Sequence, residues 1–254
     1  MLAGMNMAEG NKKYMPRLRF PEFRNGGKWK QSSLGTIAIF CNGRAYSQEE
    51  LLEHGKYKVL RVGNFFNNAH WYYSDLELEK EKYCNTNDLL YAWSASFGPF
   101  IWTGGKVIYH YHIWKVTPLS NIEKFFLYYV LMIETEKIKK NILNGLGIMH
   151  ITKSAIEKWK CQFPSFPEQQ KIADCLSSLD ELIEAHEQKR DALVEHKKGL
   201  MQRLFPAEGE TTPRWRFPEF RKGAEWRNAP LGSVAIFNNG RAYSQEELLE
   251  SGKY

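Results

Sequence analysis

Apolar and polar positions alternate in short runs over residues 34–118. Strands are expected at 37–41, 57–62, 89–93, 100–102 and 106–116. Turn signals fall at Asn42-Gly43 and Gly104-Gly105. The period then changes. Ser120 and Glu123 form a capping-box pattern. It opens an amphipathic helix with Ile122, Phe125, Phe126, Tyr129, Val130 and Ile133 as its apolar face and Asn144-Gly145 as its stop. A short helix is expected within 151–160, and an extended segment at 161–163. The prolines Pro164 and Pro167 break the chain.

A long helix is expected from Glu168 to about Leu204. Its seam runs Ile172, Leu176, Leu179, Ile183, His186, Arg190, Leu193, Lys197, Leu200, Leu204. The steps alternate four and three, the heptad signature. Some 37 residues at ~1.5 Å each give a rod of roughly 55 Å. A seam this long favours a coiled coil over a helix lying along its own domain. Polar seam residues cost stability but fix register and partner.

A repeat organises the chain. Residues 213–254 match residues 16–57 at 30 of 42 positions, at a constant offset of 197. That spacing far exceeds a solenoid repeat of ~20–50 residues, so the unit is a domain plus a connector. The second copy stops at Tyr254, where the first runs into its strand at 57–62. The expected divisions are a loose arm at 1–15, a β-rich domain at 16–165, a spacer helix at 166–205 and a shortened second unit at 206–254. The fold class is α+β.

The chain has 254 residues, 43% of them hydrophobic and 25% charged, ordinary for a soluble globular protein. It shows no apolar run of the ~18–20 residues a membrane span requires and no secretory signal, so a cytoplasmic location is expected. Cys41, Cys84, Cys161 and Cys175 share no C-x-x-C spacing and read as reduced thiols. Residues 1–165 carry 22 basic and 14 acidic side chains, net +8, whereas 166–203 carry 6 and 8. The local excess suits a polyanionic partner.

Catalytic constellations are missing from the pattern. The sequence holds no G-x-x-x-x-G-K-[ST] loop, H-E-x-x-H, G-x-S-x-G or Asn-Pro-Pro-aromatic tetrapeptide. The Glu-x-Lys pairs at 187–189 and 195–197 read as solvated helix charges. His110 and His112 flank Tyr111 at strand spacing and point to one face, but no third metal ligand accompanies them. No cofactor or metal is expected.

The groups present are those that contact nucleic acid. Arg44, Lys58, Arg61 and Lys106 suit phosphate or guanine. Tyr46 lies beside Arg44 in the same loop, and Asn64, Asn67 and Asn68 offer amides for adenine edges. Ser94 and Ser96 lie in a loop beside Trp93 and Phe97. Asn144, His150, Thr152 and Lys153 surround Gly145 and Gly147. For Trp71, Tyr72, Tyr73 and Trp93, core packing is the plainer reading. Two such domains held apart by a rod would read two half-sites at a fixed distance.

Three stretches resemble the specificity subunit of type I restriction-modification systems. They are Pro16-Arg-Leu-Arg-Phe-Pro-Glu-Phe23 with Trp29 and Leu34-Gly35; Asn87-Asp-Leu-Leu90 through Ser94 to Gly98; and Pro164-x-x-Pro167-Glu-Gln-Gln-Lys-Ile-Ala173, closing with Lys197-Lys-Gly-Leu-Met-Gln-Arg-Leu-Phe205. The likeness covers essentially 14–254.

That resemblance implies a non-catalytic reader of double-stranded DNA. Such subunits carry two target recognition domains, each for half of a bipartite site, held apart by two antiparallel helices. They dock methyltransferase subunits that use S-adenosylmethionine, and a restriction subunit joins the larger complex. This chain departs from the pattern in having one complete domain, one helix and a fragment. Two chains pairing as a homodimer through their spacer helices would restore the whole. The duplicated tail, filling the same slot as residues 19–57, would dock on the other protomer or compete with the native segment. The competing reading is a coiled-coil adaptor whose β-rich domain binds protein rather than DNA.

Overall fold

The computed structural model describes residues 16–66, 70–94, 97–141 and 151–247. Thirteen main elements are described: β1 (Lys30–Ser33), β2 (Ala38–Asn42), β3 (Tyr57–Leu60), β4 (Tyr72–Ser74), β5 (Tyr83–Cys84), β6 (Leu89–Ala92), β7 (Gly98–Ile101), β8 (Val107–Tyr109), β9 (Ile113–Pro118), α1 (Lys124–Asn141), α2 (Lys153–Glu157), β10 (Lys160–Phe163) and α3 (Phe166–Leu204). The chain divides into two compact units, Met1–Glu181 and Leu182–Tyr254.

The first unit is built on two four-stranded sheets. One is antiparallel in the order β2-β9-β6-β7. The other runs β4-β3-β8-β5, with β3 and β8 parallel. Strand β6, Leu-Leu-Tyr-Ala, is buried throughout. Successive side chains point to opposite faces of a strand, so an all-apolar run needs cover on both sides. Leu89 and Tyr91 pack with Phe40, Trp114, Leu127 and Leu131, in the layer shared with α1. Leu90 packs the other way, with Leu60, Cys84, Val107, Tyr109 and Ile113, between the two sheets. A third cluster, Val59, Tyr83 and Ile108, is covered by Tyr46, Leu51 and Leu78.

The single strand expected over 106–116 is two. β8 ends at Tyr109 and β9 begins at Ile113, because the chain leaves one sheet there and joins the other. Alternation runs through the intervening His110-Tyr111-His112, so the sequence carries no break. Gly43 is needed at the same corner. A Cβ there would collide with the carbonyls of Tyr109 and His110. Its N–H donates to the Ile113 carbonyl at 3.1 Å.

Helix α1 differs from expectation at its cap and its face. It starts at Lys124, and the Glu123 carboxylate accepts the Phe126 N–H at 2.6 Å, so Glu123 caps rather than Ser120. The core face carries Phe126, Leu127, Leu131 and Thr135, with Ile122 buried just before the helix, whereas Ile133 is exposed. The run Phe-Phe-Leu-Tyr-Tyr-Val-Leu-Met-Ile is apolar all round, which leaves its period ambiguous. The expected stop at Asn144-Gly145 lies outside the described residues, as does the arm at 1–15.

Residues 164–169 fasten the first unit. Glu168 and Gln169 are each 1% exposed, although they begin a helix rich in charge. The Gln169 side chain accepts the Glu123 N–H at 2.9 Å and donates to the carbonyls of Asn121 and Pro164. Glu168 takes two 2.6 Å hydrogen bonds from the Arg19 guanidinium and one of 3.3 Å from Trp29 Nε1. One Glu-Gln dipeptide thus ties together the segment around residue 19, the start of α1 and the entry to α3. Further along, the Tyr129 hydroxyl donates to Asp180 at 2.7 Å, joining α1 to α3.

α3 is one helix of 39 residues. Leu179, Leu182, Ile183, Leu193, Val194 and Met201 are each half or more exposed along it. No helix among the described residues is long and apolar enough to cross a membrane. The four cysteines are free. Cys84 and Cys161 are buried, and Cys175 is exposed.

The repeat in sequence is also a repeat in local structure. The 3-10 turns Pro21–Phe23, Leu34–Thr36 and Gln48–Glu50 recur as Pro218–Phe220, Leu231–Ser233 and Gln245–Glu247. Arg19 donates to the carbonyls of Gly26 and Gly27, and Arg216 donates to those of Gly223 and Ala224. The pair Arg44–Glu50 recurs as Arg241–Glu247. The strands do not recur. β1 and β2 pair with β10 and β9, whereas residues 227–230 and 235–239 form no strand. Phe40 is 1% exposed, while its duplicate Phe237 is 71% exposed.

Candidate nucleic-acid interface

The sheet β4-β3-β8-β5 gathers cations over aromatic rings. Lys58, in β3, lies 5.2 Å from the centroid of Trp71. Arg61, just after β3, lies 5.1 Å from Tyr72. Lys106, just before β8, lies 4.2 Å from Tyr83 and 5.4 Å from Tyr57. β3 pairs with both β4 and β8, so Arg61 over Tyr72 and Lys106 over Tyr57 and Tyr83 share one face of the sheet, while Lys58 over Trp71 lies on the other. A ring face attracts a cation and limits its freedom without neutralising it. Among the described residues none of the three is ion-paired to a carboxylate.

The loop after β2 behaves differently. Arg44 makes a bidentate pair with Glu50, at 2.6 and 2.9 Å, and lies 5.1 Å from the Tyr46 ring. Those hydrogen bonds, with another from the Ser47 N–H, hold the Glu50 carboxyl down at about 2. Burial raises the Tyr46 phenol, whose hydroxyl has no hydrogen-bond partner among the described residues. Tyr46 stacks on His110 with ring centroids 6.3 Å apart. Burial, together with the charges of His112 and Arg61, pushes His110 down to about 4, so it is neutral at physiological pH.

His110 and His112 lie in the turn between β8 and β9, with ring centroids 4.9 Å apart. They do not alternate along a strand. Among the described residues no three His, Cys, Asp or Glu side chains gather as a metal would require.

The remaining candidates are dispersed. The Asn64 side chain accepts the Arg61 N–H and donates to the His70 carbonyl, shaping the turn after β3. Ser94 is 8% exposed. The Thr152 hydroxyl caps α2 by accepting the Ala155 N–H, and Lys153 pairs with Glu157 at 3.7 Å. Asn67, Asn68, Ser96, Asn144 and His150 lie outside the described residues. The sequence reading missed the aromatic supports as partners of the cations, and it missed Glu50. Residue type finds a cation. Only strand pairing finds what lies beneath it.

Comparison with known proteins follows the same outline. The model of the type I restriction modification DNA specificity domain matches residues 26–195. The type I restriction enzyme MjaVIII specificity subunit of Methanocaldococcus jannaschii is 28% identical over 253 residues, covering 96% of this chain and 56% of that protein. The chain therefore spans about half the length of this curated relative. A solved chain described under "Structural basis underlying complex assembly and conformational transition of the type I R-M system" matches with a TM-score of 0.53 at 17% identity, over 73% of this chain and 45% of that one. The HsdS subunit from Thermoanaerobacter tengcongensis matches with a TM-score of 0.49 at 18% identity, over 69% and 42%. The first of these structural matches shows a shared α+β fold.

Proposed function

The chain belongs to the family of type I restriction modification DNA specificity domains, and on that premise we propose that residues 16–165 form a target recognition domain reading one half of a bipartite site in double-stranded DNA. The observation that carries this reading is the pair of ring-supported cations Arg61 and Lys106 on one face of the sheet, with Lys58 ring-supported at the same strand from the other face. Phosphates and guanine edges both accept from such donors. Within that set Arg61 adjoins the Asn64 turn, where an amide is close to a guanidinium. The domain grips DNA and leaves its covalent bonds unaltered. Methylation and cleavage belong to the methyltransferase and restriction subunits it docks.

In this reading residues 166–205 are the spacer helix and 206–254 the start of a second recognition domain. Exposed Leu179, Ile183 and Leu193 support pairing of two chains through the middle of α3, with His186 and Arg190 between them, whereas Ile172, Leu176, Leu200 and Leu204 lie against segments of their own chain. Such a homodimer reads a palindromic pair of half-sites. The protein acts in the cytoplasm, where its DNA lies.

Salt titration tests the reading. A DNA reader loses affinity steeply with salt, by a slope of about −0.9 for each phosphate neutralised. A protein-binding adaptor shows no such binding.

A further inference from the structure

Arg19 and Arg216 hold the same local frame, but only Arg19 closes on a carboxylate. Each guanidinium is cradled by backbone carbonyls of the loop that follows it, Gly26 and Gly27 in one copy, Phe220, Gly223 and Ala224 in the other. Arg19 then points its free N–H groups at Glu168, and Trp29 adds an indole donor. The duplicates Arg216 and Trp226 have no carboxylate in that position among the described residues, and Trp226 is 45% exposed. The acceptor side is equally plain. The segment from Pro16 lines a largely apolar pocket of about 460 Å³ with Glu168, Ile172, Cys175 and Leu176 of α3.

We propose that residues 213–226 are a second clamp for this slot, and that they seat on Glu168 of another copy of the chain when the resident Arg19 segment is released. Arg216 takes the place of Arg19 on the buried carboxylate, and Trp226 takes that of Trp29. Trp215 stands where Leu18 lines the pocket, and adds apolar area against Ile172 and Leu176. The cradle is already formed, and docking exchanges the contacts that Trp215 makes with Arg203 and Trp226 with Phe205 for those of the slot. The proposal does not depend on what the first unit binds.

Magnitudes set when exchange occurs. The resident segment is tethered beside its slot, at an effective concentration of about millimolar order. With near-equal affinities the resident wins at micromolar protein, so exchange involves a minor population of the intact chain. Weakening the resident by one charged hydrogen bond shifts the ratio about tenfold or more.

The experiment places a photocrosslinker in the full chain by Phe217→p-benzoylphenylalanine, at the duplicate of Phe20, and mixes isotopically heavy and light protein. Mass spectrometry then counts heavy–light links from position 217 to the peptide around Ile172 and Leu176. Adding Arg19→Ala is expected to raise those links about tenfold, and adding Arg216→Ala to that background is expected to abolish the rise. Trp29→Phe removes only the indole donor. It gives a smaller rise in the same direction and serves should Arg19→Ala fail to fold. A yield that ignores the release variants, or ignores Arg216→Ala, or links confined within single chains, overturns the proposal.

Discussion

Arg44 and Glu50 meet through two hydrogen bonds of 2.6 and 2.9 Å, so a cation that the sequence offers to DNA is already bound to a carboxylate. Lys58, Arg61 and Lys106 lie over rings instead. Two classes of basic side chain therefore coexist in one domain, and they respond differently to substitution.

Glu50→Gln is expected to release Arg44 as a free charge. Affinity for random-sequence duplex rises about two- to fivefold at low salt, and the salt slope steepens by as much as ~0.9. Fluorescence anisotropy across a salt series measures both. An unchanged slope means that Arg44 does not face DNA.

Gln169 is expected to be indispensable to the fold rather than to binding. Gln169→Leu strands the Glu123 N–H and the Asn121 and Pro164 carbonyls, which it now satisfies. Unsatisfied buried groups cost roughly 1–3 kcal/mol each, so the variant loses at least about 3 kcal/mol in urea unfolding. Glu168→Gln lowers the melting temperature too, because it leaves the Arg19 guanidinium without its counter-charge.

Stability is expected to fall on mild acidification through His110. An unfolded histidine takes a proton near 6.5, whereas the folded side chain does so only near 4. Between those values the unfolded chain binds more protons, so stability declines as pH drops from about 6.5 toward 4, then levels off for this group. The loss is about 2 kcal/mol after allowing for the ring's partial exposure. Glu50 acts in a lower window. Its depressed carboxyl stabilises the fold above 4.5, and that contribution disappears as pH falls toward 2. Urea unfolding at pH 7, 4.5 and 3 separates the two, and His110→Gln flattens only the upper window.

Much of this architecture is legible in the chain. Strand β6 is a short apolar run and β3 an alternating one, both beside polar turns, and α3 carries its period for 39 residues. What was not legible depends on distant partners. Gln169 helps to cap α1 from 46 residues away. The turn at His110 keeps the alternation of a strand while the backbone changes sheets. Trp71 and Tyr72 read as core aromatics, and only the pairing of β4 with β3 shows them as supports for Lys58 and Arg61. The repeat was visible as letters, but not that its local turns survive where its strands do not.

The central claim is that the cations around β3 hold duplex DNA in a sequence-selective way. Repeated selection from a randomised duplex pool, using the full chain and a Lys58→Ala/Arg61→Ala/Lys106→Ala variant, tests it most directly. The account predicts that the unaltered chain enriches a short defined motif, and that the variant binds more weakly, with a salt slope smaller by about 2–3. A pool that stays random with the unaltered chain, or a variant that binds and selects equally well, would contradict it.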